Sequence, residues 1–290
     1  MGGFDYLRPE SLEETIEYLA DGEGKVLAGG TDLILHLKQG KLRPRRIVDI
    51  SRIPALHDLR EDDGRIFLGA VITFAELGIS PIVLRHAQPL AQAALQIGSP
   101  QIRNVATLGG NIANGSPAAD GVVPLLALGT RLLIRSPKGM SIVELSSFME
   151  TKQGEVALGA DQLILGMEFP KLNPGTRSIY LKLGRRNAVT IARLSLCTVA
   201  SVNTEGTIER AAISVGAAGP HPFRVISAER LLLGVHPTPE IINDTVEEIS
   251  REVSHKLGGR PSEPYKSYAI RGLAREALEY CLGLGSDGGE

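Results

Sequence analysis

Two pairs of adjacent glycines stand where the chain could hold an anionic ligand. The first pair lies in the run Leu27-Ala28-Gly29-Gly30-Thr31-Asp32, between a short apolar stretch and residues with helical spacing. Glycine lets a backbone approach a ligand closely, and the N–H groups that begin a helix attract anions such as a pyrophosphate. An ordinary turn between a strand and a helix would explain the same residues. The Asp32 carboxylate would repel a phosphate unless it caps the helix or faces away.

The second pair, Gly109-Gly110, lies in a long segment of small residues between positions 99 and 120. We predict that about fourteen of these residues have no regular secondary structure, and loops of that length are usually functional or disordered. The hydrogen-bonding side chains of this segment are those of Thr107, Asn111, Ser116 and Asp120. We favour a ligand-binding loop over an irregular surface loop, because the second would explain only the glycines.

Two other segments carry weaker signals. Gly22-Glu23-Gly24-Lys25 looks like part of a phosphate-binding loop, but no Ser or Thr follows the lysine and the glycine spacing is incomplete. Lys182, Arg185 and Arg186 form a basic cluster of the kind found in solvated turns between strands. On their own residues, neither segment predicts a site.

Composition favours a folded protein without a nucleic-acid partner. The chain has 290 residues, 43% of them hydrophobic, which is enough for a large core. Its 31 Lys and Arg nearly balance its 33 Asp and Glu, so no strong field exists to hold a nucleic acid or an anionic membrane. We find no signal-peptide pattern and no transmembrane segment of about 18 apolar residues. We therefore expect a cytoplasmic protein.

The cysteines and histidines do not indicate a metal site. Cys197 and Cys281 are the only cysteines, too few for the four thiolates that an iron–sulfur cluster normally needs. We expect both to be buried thiols. The six histidines are scattered, without the spacing that places two ligands on one face.

Strand and helix patterns alternate around the first glycine pair. Apolar residues at helical spacing follow Ser11, a good N-cap, and predict a helix over residues 12–19. Short strands are predicted over 25–28 and 46–50, with a helix over 32–39 between them. The first glycine pair would then lie at the strand–helix junction of a small parallel α/β unit.

Later segments predict a different architecture. Helices are predicted over residues 90–97, 228–233, 240–257 and 265–280, and strands over 131–134, 163–169, 179–183, 195–202 and 208–215. Residues 170–175 have the composition of a linker. We therefore predict one domain over residues 1–173, with subdomains of about 1–55 and 56–173, and a second domain over 174–290.

Together, the two glycine motifs resemble the paired FAD signatures of the medium subunits of molybdenum hydroxylases, the family of xanthine and carbon monoxide dehydrogenases. Ala28-Gly29-Gly30-Thr31-Asp32 stands about eighty residues before Thr107-Leu108-Gly109-Gly110-Asn111. The likeness continues almost end to end, in Phe4-Asp5-Tyr6, Pro100-Gln101-Ile102-Arg103-Asn104, residues 182–192, residues 216–222 and Tyr265-Lys266.

The resemblance implies an α+β protein with a two-part FAD-binding domain of the vanillyl-alcohol-oxidase (PCMH) type. A smaller α+β C-terminal domain with an antiparallel sheet and helices would follow it. The pyrophosphate of FAD would lie between the two Gly-Gly turns, and at Gly110 we expect a conformation that glycine alone adopts.

The same resemblance implies further cofactor contacts outside the glycine motifs. Ile97 and Ile164 match positions that line the flavin or adenine cavity, and Ile97 stands where xanthine-oxidising relatives have an aromatic residue. Thr107, Asp120 and Lys182 match polar contacts to FAD.

The implied activity is that of an oxidoreductase subunit that binds FAD non-covalently, holds no other cofactor and needs no catalytic acid–base pair. Electrons would come from a large subunit with the molybdenum cofactor, through the 2Fe–2S clusters of a small subunit, and leave to NAD or a quinone. The expected assembly is a dimer of heterotrimers.

Two alternatives to this function stay open at the level of the residues. A stand-alone FAD-dependent oxidoreductase on the same scaffold would need its own substrate pocket and acid residue. In a cofactor-free binding module, both glycine pairs would be turns and nothing more.

Overall fold

The strands of the computed structural model form three separate sheets in the residues that it describes, 3–150, 158–184 and 191–284. The first sheet is parallel, with the order β1-β3-β2. Its elements are β1 (Asp5–Leu7), α1 (Leu12–Leu19), β2 (Gly24–Leu27), α2 (Leu33–Lys38) and β3 (Arg46–Asp49). Together they form the parallel unit, and the predicted strand–helix alternation is confirmed.

Local sequence signals explain how the parallel unit folds. The Ser11 hydroxyl accepts a hydrogen bond from the N–H of Glu14 at 3.1 Å, as expected of an N-cap. Ile16 and Leu19 lie one turn apart and are buried against β3. The turn after β2 therefore follows an edge strand of a sheet that α1 covers with buried residues.

The second sheet is antiparallel, with the order β4-β5-β8-β6-β7. Its strands are β4 (Leu59–Asp62), β5 (Arg65–Gly69), β6 (Arg131–Ser136), β7 (Gly139–Glu144) and β8 (Leu163–Pro170). The helices among them are α3 (Phe74–Ile79), α4 (Pro81–His86), α5 (Gln88–Leu95), α6 (Pro100–Arg103), α7 (Leu108–Asn114), α8 (Val122–Leu128) and α9 (Leu145–Met149). These elements form the antiparallel unit.

The prediction of a long irregular loop after residue 99 is wrong, because two short helices, α6 and α7, occupy much of it. Ser99 and Thr107 cap them: each side-chain oxygen accepts the N–H three residues later. Leu108 and Ile112 are fully buried and fasten α7 to the core. The second glycine pair therefore lies in the first turn of a packed helix.

The C-terminal domain consists of a four-stranded antiparallel sheet and three helices. Its strands, in the order β12-β11-β10-β9, are β9 (Arg177–Leu183), β10 (Leu194–Val202), β11 (Ile208–Gly216) and β12 (Phe223–Arg224). Its helices are α10 (Ile226–Leu232), α11 (Pro239–Leu257) and α12 (Glu263–Leu282). The predicted α+β class and this arrangement of sheet and helices are confirmed.

The sheet of the C-terminal domain is buried on both faces. Eight of the nine residues of β10 are buried, which differs from the alternation of a sheet with one wet face. One face packs on α11 and α12, and the other contacts α5 and α8 of the antiparallel unit. Ser214 on β11 donates a 2.6 Å hydrogen bond across this interface to the Val123 carbonyl. The exact domain boundaries stay a prediction.

No helix in the described parts of the chain is long and apolar enough to cross a membrane.

Candidate functional site

A cavity of about 710 Å³ lies between the parallel and antiparallel units. That volume is within the range of sites that enclose small molecules and cofactors. The structure brings both glycine motifs to it. Twelve predicted site residues line the cavity: Ala28, Gly29, Gly30, Thr31, Asp32, Ile97, Thr107, Gly109, Gly110, Asn111, Asp120 and Ile164.

The turn after β2 needs both of its glycines. A Cβ atom on Gly29 would lie 1.8 Å from the Val105 carbonyl oxygen, so the backbones of the two motif regions touch at this point. Gly30 has a φ of +70°, in the left-handed region that side chains disfavour. The turn is thereby held against the segment that leads into α7.

The Asp32 side chain does not cap α2. Asp32 occupies the N-cap position but makes no capping hydrogen bond, and its carboxylate accepts from the Thr31 hydroxyl at 3.3 Å. Capping of α2 therefore does not direct the Asp32 carboxylate away from a phosphate bound at this turn. Asp32 adds negative charge to this part of the cavity lining.

The second motif uses its two glycines differently. A Cβ on Gly109 would lie 2.6 Å from the Ala70 carbonyl oxygen, so Gly109 permits close packing of α7 on the chain after β5. Gly110 does not have a positive φ, so the expectation of a glycine-only conformation there is wrong. A Cβ on Gly110 would meet only the Thr107 hydroxyl, at 2.8 Å. Gly110 is exposed in the cavity lining, which leaves its backbone open to a ligand.

Asn111 lines the cavity and carries an unsatisfied acceptor. Its Oδ1 is buried and has no hydrogen-bond partner among the described residues. A buried polar atom normally has a partner, but this oxygen is enclosed beside Gly121 and is not open to the cavity in this structure.

A buried ion pair closes another part of the wall. Lys182 Nζ donates to Asp120 Oδ2 at 2.6 Å and to the Gln96 carbonyl at 3.0 Å. The Tyr180 hydroxyl donates to Asp120 Oδ1 at 2.6 Å. Burial, the charge of Asp120 and the hydrogen bond to it raise the pKa of Tyr180 well above its ordinary value. The hydroxyl therefore remains a donor across the physiological pH range.

Two predicted site residues lie outside the described lining of the cavity. Leu27 ends β2 and supports the turn that follows. Lys182 is held behind Asp120, so in this structure its ammonium group contacts the carboxylate and a backbone carbonyl.

Comparisons with known proteins agree over the whole length of the chain. Residues 2–172 match the family described as the FAD binding domain in molybdopterin dehydrogenase, and residues 179–281 match the CO dehydrogenase flavoprotein C-terminal domain. The chain belongs to the FAD-binding subunits of the molybdenum hydroxylase family.

Relatives of this flavoprotein subunit include a putative xanthine dehydrogenase FAD-binding subunit of Escherichia coli K12, which is 32% identical and covers 94% of each chain. The nicotinate dehydrogenase FAD-subunit of Eubacterium barkeri is 28% identical over 95% of each chain. Among solved structures, a carbon monoxide dehydrogenase from Hydrogenophaga pseudoflava superimposes with a TM-score of 0.88, at 27% identity and 98% coverage of both chains.

The cavity of the flavoprotein subunit suits an FAD molecule. Glycine turns let the backbone approach a pyrophosphate, and apolar side chains can cover flat rings. The apolar lining includes Val26, Leu42, Ile50, Phe74, Ile97, Leu163 and Ile164.

Sequence reasoning missed several residues of this lining, including Val26, His36, Leu42, Ile50, Leu158, Gln162 and Ile191. They carry no motif, and they come from β2, α2 and the loop segments around β3, β8 and β10, which only the fold brings together. Tyr180 was missed as well. A signal was available there, because Tyr180 and Lys182 are two apart on a strand and therefore point to the same face.

The described residues contain no group of three or more His, Cys, Asp or Glu side chains that could hold a metal ion. Cys197 and Cys281 are both buried, as predicted.

Proposed function

We propose that this subunit binds one FAD non-covalently in the cavity and passes electrons from the iron–sulfur clusters of a partner chain to an external acceptor. The observation that carries the proposal is the convergence of two glycine motifs, about eighty residues apart, on one cavity of about 710 Å³. A bound flavin supplies one- and two-electron chemistry, while the protein supplies position and electrostatics.

In this proposal each part of the cavity has a role. The Gly29-Gly30 turn and the first turn of α7 would hold the pyrophosphate. Ile97 and Ile164 would cover ring surfaces, and Asn111 and Asp120 would contact polar edges of the cofactor. Lys182 would fix Asp120, which the ion pair between them supports.

The names of the relatives support the proposal that this chain has partner subunits. Two relatives are named as carbon monoxide dehydrogenase medium chains, and another as a subunit of a dehydrogenase complex. We infer that this chain joins a molybdenum-cofactor large subunit and a 2Fe–2S small subunit, in a dimer of heterotrimers. NAD or a quinone is the expected acceptor.

The test of cofactor binding is direct. The purified chain, supplemented with FAD, should absorb in the flavin region with close to one FAD per chain. Acid or denaturant should release all of it into the supernatant, because neither glycine motif contains a His or Cys that could form a flavin bond. A protein without flavin, or a flavin that stays bonded to the denatured chain, contradicts the proposal.

A stand-alone flavoenzyme is the main alternative, and one observation weighs against it. The titratable residues in the described lining are Asp32, His36 and Asp120, and Asp120 is already engaged by Lys182 and Tyr180. An isolated chain that oxidises an organic substrate by itself would favour this alternative.

A further inference from the structure

The C-terminal domain reaches Asp120, in the wall of the cofactor cavity, through one strand. Tyr180 and Lys182 lie on β9, and both donate to the Asp120 carboxylate, which belongs to the segment before α8 and lines the cavity. None of the described residues of β9 lines the cavity itself. The contact between this domain and the cavity at Asp120 is therefore indirect.

The geometry at Asp120 leaves this carboxylate little freedom. Tyr180 occupies Oδ1 and Lys182 occupies Oδ2, each at 2.6 Å. Tyr180 is itself immobile: it is 2% exposed, and its N–H donates to the Gln92 side chain on α5 at 2.8 Å. A hydrogen bond to a charged, buried group is stronger than one between neutral groups.

We propose that Tyr180 is a positioning residue that orients the Asp120 carboxylate for FAD, so that cofactor binding is coupled to the packing of β9 against the cavity. This inference rests on the proposed function. Lys182 neutralises the carboxylate, whereas Tyr180 fixes the direction in which its remaining lone pairs point. Without the Tyr180 hydroxyl, the Asp120 side chain can rotate while it keeps its contact with Lys182. FAD binding must then fix the orientation of this side chain, which costs conformational entropy.

The test compares Tyr180→Phe with Ser214→Ala. Each removes one buried hydroxyl that donates a 2.6 Å hydrogen bond between the C-terminal domain and the antiparallel unit. Only Tyr180 touches a residue of the cavity, so Ser214→Ala controls for loss of stability at the interface. The dissociation constant of FAD is measured by titrating each apo-protein and following the quenching of flavin fluorescence, alongside the thermal midpoint.

We expect Tyr180→Phe to raise the FAD dissociation constant about tenfold, because FAD binding must then order the released Asp120 side chain. Ser214→Ala should leave the FAD dissociation constant within about twofold of the wild-type value, even if both variants lower the thermal midpoint. Equal constants for the two variants, or wild-type affinity in Tyr180→Phe, overturn the inference. A wild-type chain that binds no FAD overturns the proposed function and the inference together.

A second measurement needs no variant. Amide hydrogen exchange of the wild-type chain, with and without FAD, should show slower exchange in β9 when FAD is bound. The edge strand β7 provides the control, because none of its residues lines the cavity either. Protection of β9 that is no greater than that of β7 overturns the coupling.

Discussion

Gly29 and Gly110 use the absence of a side chain for different purposes. At Gly29 the missing Cβ makes room for the Val105 carbonyl, so the glycine is required for the contact between two parts of the protein. At Gly110 the backbone is helical and the nearest obstacle is the Thr107 hydroxyl. One glycine therefore serves the fold, and the other keeps the cavity open.

Substitution by alanine should separate these roles. Gly29→Ala should lower both the free energy of unfolding and FAD affinity, because a Cβ 1.8 Å from a carbonyl oxygen forces the two backbones apart. Gly110→Ala should leave the fold in place and weaken FAD binding.

The control is Gly272→Ala, in an exposed turn of α12 with open space around it. This substitution should stabilise the protein by about 0.5–1 kcal/mol. Urea denaturation and FAD titration measure both effects, and equal behaviour of Gly29→Ala and Gly110→Ala would contradict the distinction.

The Asp120–Lys182 pair predicts a large and specific loss of stability. The two side chains are 8% and 5% exposed, so Lys182→Met leaves a carboxylate buried without its counter-charge. We expect a loss of about 3–5 kcal/mol in urea denaturation. Arg45→Met is the control, because the Arg45–Glu23 pair is solvated and should contribute little. Equal losses from the two substitutions would mean that the buried pair is hydrated in solution.

At the scale of elements, the sequence predicted those whose apolar residues show a clear period. The parallel unit and the strands and long helices of the C-terminal domain are of this kind. Helix α7 was missed because Gly109 and Gly110 each disfavour a helix by about 1 kcal/mol, and only the burial of Leu108 and Ile112 overcomes this. Helix α8 is buried on all sides, so no polar face reveals its period.

The site residues also divide into those that a local pattern predicts and those that depend on tertiary packing. The glycine motifs follow from local rules about turns and helix starts, and a family resemblance supplied Ile97, Ile164 and Lys182. The side chains of His36 on α2, of Ile50 after β3 and of Leu158 and Gln162 before β8 reach the cavity only through tertiary packing, which no local pattern encodes.

The packing of α12 on β10 buries Cys281 and Cys197 and should make both thiols unreactive. Burial raises the pKa of Cys281 to about 12 and that of Cys197 well above its ordinary value. Iodoacetamide at pH 8 should therefore modify neither cysteine in the native chain and both after denaturation. Mass spectrometry of the intact chain measures this, and modification of a native thiol would show that α12 detaches.

The sign of the pH effect follows from the raised pKa. The folded state disfavours the thiolate, so the stability due to Cys281 is complete below about pH 9 and is lost as pH rises toward about 12. The stability advantage of the wild type over Cys281→Ala should shrink by up to about 1.4 kcal/mol per pH unit in that window. A difference that does not change between pH 8 and pH 10.5 would refute this.

At the scale of the whole molecule, the chain should function only in an assembly. Its two cysteines cannot ligate relay clusters, so partner chains must supply them. Co-expression with molybdenum-cofactor and 2Fe–2S candidate subunits should yield a complex in which flavin, iron and molybdenum co-elute. Turnover of an organic substrate should appear only in that complex, and expression of the flavoprotein alone is the control. A flavoprotein that never co-elutes with iron or molybdenum would contradict the prediction.

The distribution of the cavity along the chain sets the earliest moment at which the cofactor can be captured during biosynthesis. The ribosome delivers the Gly29-Gly30 turn first, but α7 and Ile164 follow much later, and the side chains that fix Asp120 arrive only at residues 180 and 182. Ile191 is the last lining residue in the described part of the chain, so roughly two-thirds of the chain must leave the exit tunnel before every wall and its support exist. A nascent chain shorter than this has no complete site for FAD, so the complete site can bind FAD only late in synthesis or after it.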